Sequence, residues 1–111
     1  MNVEAFKELI NIYSDFTVEE LTEFWIENGQ WTMRELTGFS SVHSCMLCKA
    51  ANSKCTNCLY KFRFPDGEMY PCLEKTYDLI EYAETPEELY DALQKRIEFM
   101  KETLTYYKEN S

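Results

Sequence analysis

Four cysteines fall within fourteen residues: Cys45 and Cys48 form CMLC, six residues intervene, and Cys55 and Cys58 form CTNC. Cys72 follows after a further thirteen. A two-residue spacer lets both sulfurs of a pair face one ion while the intervening amides point at them. Two such pairs complete the tetrahedral thiolate shell that Zn2+ prefers. The expectation is one structural Zn2+, with ligands drawn from Cys45, Cys48, Cys55, Cys58 and Cys72. The six-residue gap is shorter than the roughly 15 to 20 residues of a zinc ribbon, so the pattern predicts a compact zinc knuckle. Spacing leaves the choice of four open. Cys72 or His43, the lone histidine, could replace one of the clustered thiols. The clustered four are favoured, because Cys72 also reads as a buried apolar cysteine and His43 as a solvated loop residue.

Other chemistry is less well served by these residues. An iron-sulfur cluster of the bacterial ferredoxin type would need a CxxCxxC run, which is absent. A dithiol redox pair at Cys45 and Cys48 would sit in an alternation of strands and helices that the pattern does not offer. Nucleophilic catalysis needs a base beside the nucleophile, and the one histidine lies two residues from an expected ligand. No GxxxxGK[ST] or GxGxxG occurs, and three glycines leave little material for a phosphate cradle. The acid pairs Glu19 with Glu20 and Glu87 with Glu88 fall in first helical turns, where carboxylates favour the positive end of the helix dipole. The chain is therefore expected not to be an enzyme.

The elements that must position the cysteines are mostly helical. Val3, Phe6, Leu9, Ile10 and Tyr13 recur at helical spacing, which predicts a helix over 3–13 with one buried face. Thr17 and Glu20 make a capping box for a second helix carrying Leu21, Phe24 and Trp25, which Asn28 and Gly29 stop. Between Gln30 and Ser44 the pattern gives a short helical turn or irregular segment, with Trp31, Met33, Leu36 and Phe39 packing beneath the cysteines. Leu59 to Phe64, the turn residues Pro65, Asp66 and Gly67, then Glu68 to Cys72 read as a short β-hairpin. Residues 73–83 read as a helix with Leu73, Tyr77, Ile80 and Leu79 as its inward candidates. The last helix has Thr85 as N-cap, Pro86 at its first position and Glu88 three residues after the cap, and should run to about residue 108. Its seam of Leu89, Leu93, Ile97, Met100, Leu104 and Tyr107 either covers the first two helices or leaves its distal half for a second copy or a partner.

These segments predict a mainly α (α+β) fold in a single domain over 1–111: helical over 1–40, a cysteine and zinc module over 43–72 with the hairpin, and helical over 73–111. Apolar residues make up 45% of the chain, so it is expected to be globular. No segment has the roughly 18 apolar residues that would span a bilayer, and the start, MNVEAFKELI, is unlike a secretory signal. Five cysteines, four of them clustered, are unlike a secreted disulfide framework, so a reducing cytoplasm is expected.

Twenty acidic against eleven basic residues give a net charge of -9. By segment the balance is -6 over 1–44, +2 over 45–75 and -5 over 76–111. Phosphate-rich partners are disfavoured by that charge, because they bind through cations. A basic partner is favoured. Glu19, Glu20, Glu23 and Glu27 could stand in for phosphates in a groove built for nucleic acid, and Tyr82, Tyr90, Phe99, Tyr106 and Tyr107 exceed what one seam needs and could serve as interface anchors. The competing reading is a zinc-finger nucleic-acid binder using Lys49, Lys54, Lys61 and Arg63, with Tyr60 and Phe62 for base stacking.

The stretch SCMLCKAANSKCTNCLYKFRFPDGEMYPCLEKTYDLI, about a third of the chain, resembles a pattern in small uncharacterised bacteriophage proteins: CxLC, a short gap, CxxC, then Gly, Cys and Tyr. The matching positions are Cys45, Leu47, Cys48, Cys55, Cys58, Gly67, Cys72 and Tyr77, while Leu59 stands where that pattern has Pro. The resemblance implies a phage or mobile-element origin and no defined activity. With the charge, it makes the expected partner a host protein with a basic surface, met in the host cytoplasm and inhibited or redirected by binding, as in an anti-defence or host-takeover factor.

Overall fold

The computed structural model describes the backbone of residues 1–36, 46–52, 54–66, 72 and 74–111, and their side chains except at 30–36 and 55. Along it run α1 (Val3–Ser14), α2 (Val18–Leu36), α3 (Met46–Ala50), a 3-10 turn (Cys55–Asn57), α4 (Leu59–Arg63), α5 (Lys75–Glu81) and α6 (Pro86–Asn110). Among the described residues no strand occurs, and no helix is long and apolar enough to cross a membrane.

The 25-residue α6 organises the rest, running about 37 Å at 1.5 Å per residue along a body 43 Å long. The Thr85 hydroxyl accepts from the Glu88 amide at 3.1 Å, and the Glu88 carboxylate reaches back one residue beyond the N-cap to accept from the Glu84 amide at 2.8 Å. Helices α1, α2, α4 and α5 all pack on α6. Leu89, Leu93, Ile97 and Met100 are buried and Leu104 and Tyr107 are half-buried against the core, so this chain's own helices cover the seam.

Helix α1 buries Phe6, Leu9, Ile10 and Tyr13, the stripe its spacing predicts. At the start of α2 the Thr17 hydroxyl accepts from the Glu20 amide at 3.1 Å and lies 3.2 Å from the Glu20 carboxylate, to which it donates. The stop expected at Asn28–Gly29 is instead a break. Gly29 adopts φ 78, ψ 170, a conformation essentially confined to glycine, and helical backbone resumes to Leu36.

The hairpin expectation needs correction. Leu59–Arg63 is a helix, α4, where the first strand was expected; most of the expected second strand, residues 68–71, lies outside the described residues. The period-2 aromatics Tyr60, Phe62 and Phe64 mimic a strand in a segment too short for periodicity to decide. Packing selects the helix, because it turns Leu59 and Tyr60 together into the core. Tyr60 meets Phe6 edge-on at 4.8 Å and stacks on Phe99 at 5.4 Å, while Phe64, just past the helix, stacks on Phe99 from 6.1 Å. Within α5, Ile80 and Thr76 point inward, whereas Leu79 is exposed. Leu73 and Phe39 lie outside the described residues.

Candidate functional site

Cys48, Cys55 and Cys58 sit on or next to short helical turns. Cys48 lies within α3, and two residues past the end of that helix Asn52 takes a left-handed backbone (φ 56). Asparagine tolerates that conformation better than most residues do. The chain then winds through the 3-10 turn, where the Asn57 side chain donates to the Ala51 carbonyl at 3.4 Å and ties the turn back to the end of α3. Cys55 opens that turn, and Cys58 is the N-cap residue of α4. Cys45, His43 and the Cys55 side chain lie outside the described residues.

One side chain that sequence reasoning passed over joins these turns. Asn2 is almost fully buried (3% exposed). Its Nδ2 donates to the Leu47 carbonyl at 3.0 Å and to Cys58 Sγ at 3.3 Å, and its Oδ1 accepts from the Leu59 amide at 3.0 Å. Acceptors on one arm and a donor on the other fix the orientation of the amide, since a flip would oppose all three contacts. Leu47 belongs to CMLC and Cys58 to CTNC, so the two CxxC turns approach within reach of a single nitrogen. An N–H donor on a cysteine sulfur is also the kind of outer contact that orients metal-bound thiolates.

Cys72 is half-buried and packs against the hydrophobic core. Cys48, Cys58 and Cys72 do not form a three-ligand set: among the described residues no group of three or more His, Cys, Asp or Glu could hold a metal ion. The Cys72 carbonyl instead accepts from Arg96 Nη2 at 3.0 Å. Arg96 is buried (5% exposed), with Nη1 donating to the Thr76 hydroxyl at 3.0 Å. That hydroxyl in turn donates to the Glu74 carboxylate at 2.6 Å. The guanidinium lies 5.0 Å from the Tyr60 ring centre and 5.6 Å from that of Phe99, so stacking and hydrogen bonds offset the cost of its burial. Nothing in the sequence separates Arg96 from the surface cations of α6.

The remaining candidate residues divide into engaged and exposed. Arg63 donates to the Thr103 hydroxyl at 3.0 Å, pairs with Glu102 at 3.3 Å and lies over Phe64 and Phe99. Phe62 meets Tyr107 and Tyr106 edge-on at 5.1 and 5.9 Å. Tyr60 is buried, so it offers no face to a nucleic-acid base. Tyr90 and Phe99 pack on the core. Of the surplus aromatics, Tyr82 is the most open, at 67% exposure. Lys49 and Lys54 are exposed, as are Glu19, Glu20, Glu23 and Glu27 on α2, where Ile26 stands among them at 81% exposure. The chain matches no protein-family model, no curated protein and no solved structure.

Proposed function

We propose that this chain is a non-catalytic, zinc-stapled acidic protein that acts by occupying a basic surface on another protein and so inhibiting or redirecting it. The observation that carries the reading is the outward display of acid. Glu19, Glu20, Glu23 and Glu27 are all exposed along α2. Three of the residues that a nucleic-acid binder would present around the cysteines are engaged instead, Arg63 by Glu102 and Thr103, Tyr60 by the core and Phe62 by Tyr106 and Tyr107. The zinc proposal draws its support from the approach of the two CxxC turns at Asn2, with Cys45, Cys48, Cys55 and Cys58 as the ligands. In this reading the metal holds the turns that anchor α1 and α4, a role that suits a small domain with a limited core. The resemblance of the cysteine stretch to small phage proteins makes a host protein the expected target.

Native mass spectrometry of gently purified, tagged protein from the cells that express it tests the proposal, because one spectrum reports metal, oligomer and bound protein. One zinc per chain with a co-purifying protein is the expected result. A metal-free chain with intrachain disulfides and no partner would overturn it in favour of a thiol-redox protein. Tight duplex or single-strand binding that weakens steeply with salt would overturn the acidic-mimic component.

A further inference from the structure

We infer that the groove between α5 and α6 receives the partner, and that what it receives is a basic polypeptide segment carrying a large apolar or aromatic anchor. The inference rests on the reading above and adds the face and the chemistry of the contact. The groove encloses about 430 Å3. Its depth comes from small residues: Ala83, just after α5, and Ala92 on α6 are buried and leave room above them. Leu79 and Tyr82 stand at its side, 38% and 67% exposed, because α5 turns Thr76 and Ile80 inward instead. An open tyrosine beside a leucine over a concave floor is the arrangement in which interface anchors concentrate.

The charge around the groove selects the occupant. Asp78, Glu88 and Asp91 line it against one cation, Lys95. Across 78–95 six acids face one lysine, a net charge of -5. A second copy of this chain, at -9, or a nucleic acid would bring like charge to that rim, whereas Lys and Arg side chains flanking an anchor would meet complementary charge. The acidic face of α2, where Ile26 is exposed, is the rival site on the same molecule.

The experiment places the photo-crosslinker p-benzoylphenylalanine singly at positions 82, 26 and 106 of the full chain, irradiates it in the cells that express it, and sequences the crosslinked peptides. Support is a crosslink from position 82 to a net-basic segment with a Trp, Phe, Tyr or Leu anchor, whose yield falls at least tenfold in Asp78→Lys/Asp91→Lys. Glu88 is left intact because it caps α6. Should the reversal variant not fold by circular dichroism, Asp78→Asn/Asp91→Asn is used, with at least a threefold fall expected. Crosslinks to a protein from position 26 or 106 but not 82 overturn the groove and leave the adaptor reading standing. No protein crosslink from any position overturns both. A crosslink from 82 to a second copy, to an acidic segment, or insensitive to the charge changes overturns the stated occupant and with it the inference.

Discussion

Replacing Asn2 by alanine removes an amide that serves the Leu47 carbonyl, Cys58 Sγ and the Leu59 amide at 3.0, 3.3 and 3.0 Å. The Leu47 carbonyl keeps its bond from the Ala51 amide at 3.2 Å, so the Leu59 amide is the backbone group that loses its partner, at a cost of about 1–3 kcal/mol. Residue 2 adjoins the exposed Met1, so water can recover part of that bond, while the contact to Cys58 Sγ is lost as well, and the expected loss is about 1–3 kcal/mol. Against a total stability of about 5–15 kcal/mol, that is a large fraction. The melting temperature should fall by about 5–15 °C. Thermal melts and guanidinium titrations followed by far-ultraviolet circular dichroism, on protein tagged at its C-terminus, read the change. The titration midpoint should drop with its slope unchanged. Asn2→Asp keeps an acceptor for the Leu59 amide but sets a carboxylate against a carbonyl and a sulfur, so it should cost at least as much as alanine. With zinc bound, Asn2→Ala should also weaken metal affinity about 10–100-fold in chelator competition. If both variants unfold within about 0.5 kcal/mol of the parent, below the cost of a single unpaired buried group, the amide staples nothing and the reasoning fails.

Gly29→Ala should cost about 1–3 kcal/mol through backbone strain alone, because φ 78, ψ 170 is unfavourable for alanine although no atom lies within 4 Å of the added methyl. An unchanged denaturation midpoint would contradict that conformation. Arg96→Lys should lose about 1–3 kcal/mol, since an ammonium cannot reach the Thr76 hydroxyl and the Cys72 carbonyl together while lying on Tyr60 and Phe99. Equal stability of the lysine variant in guanidinium titration would show that the planar fork is not needed. Thr85→Ala should cost about 1 kcal/mol, with hydrogen exchange rising first in the opening turn of α6; uniform exchange would count against the cap. Chelation of purified protein should lower its melting temperature, with exchange rising first across 46–63, and an unaltered melt would sink the zinc staple.

Local signals in the sequence placed several elements because their causes are local. Thr85, Pro86 and Glu88 mark the start of α6 through contacts spanning four residues, and the seam of Leu89, Leu93, Ile97 and Met100 needs only helical spacing to be recognised. Thr17 with Glu20 does the same for α2, and Phe6, Leu9, Ile10 and Tyr13 for α1. The strand expected at 59–64 failed for the complementary reason. Five helical residues gain little from propensity, so α4 exists through the contacts of Tyr60 with Phe6 and Phe99, which are distant in sequence.

The residues that tie the candidate site together are likewise set by long-range contacts. Asn2 reads in sequence as an unremarkable residue before a helix, and Arg96 as one more cation on α6. Only the folded chain brings residue 2 to residues 47, 58 and 59, and residue 96 to residues 60, 72, 76 and 99. The sequence alone determined the helix caps, the amphipathic stripes, the acidity and the cysteine spacing, because each is a property of near neighbours or of composition. Tertiary structure decided which aromatics the core consumes, which charge is buried and which groove is left open, because burial belongs to the surfaces that meet and not to any one segment.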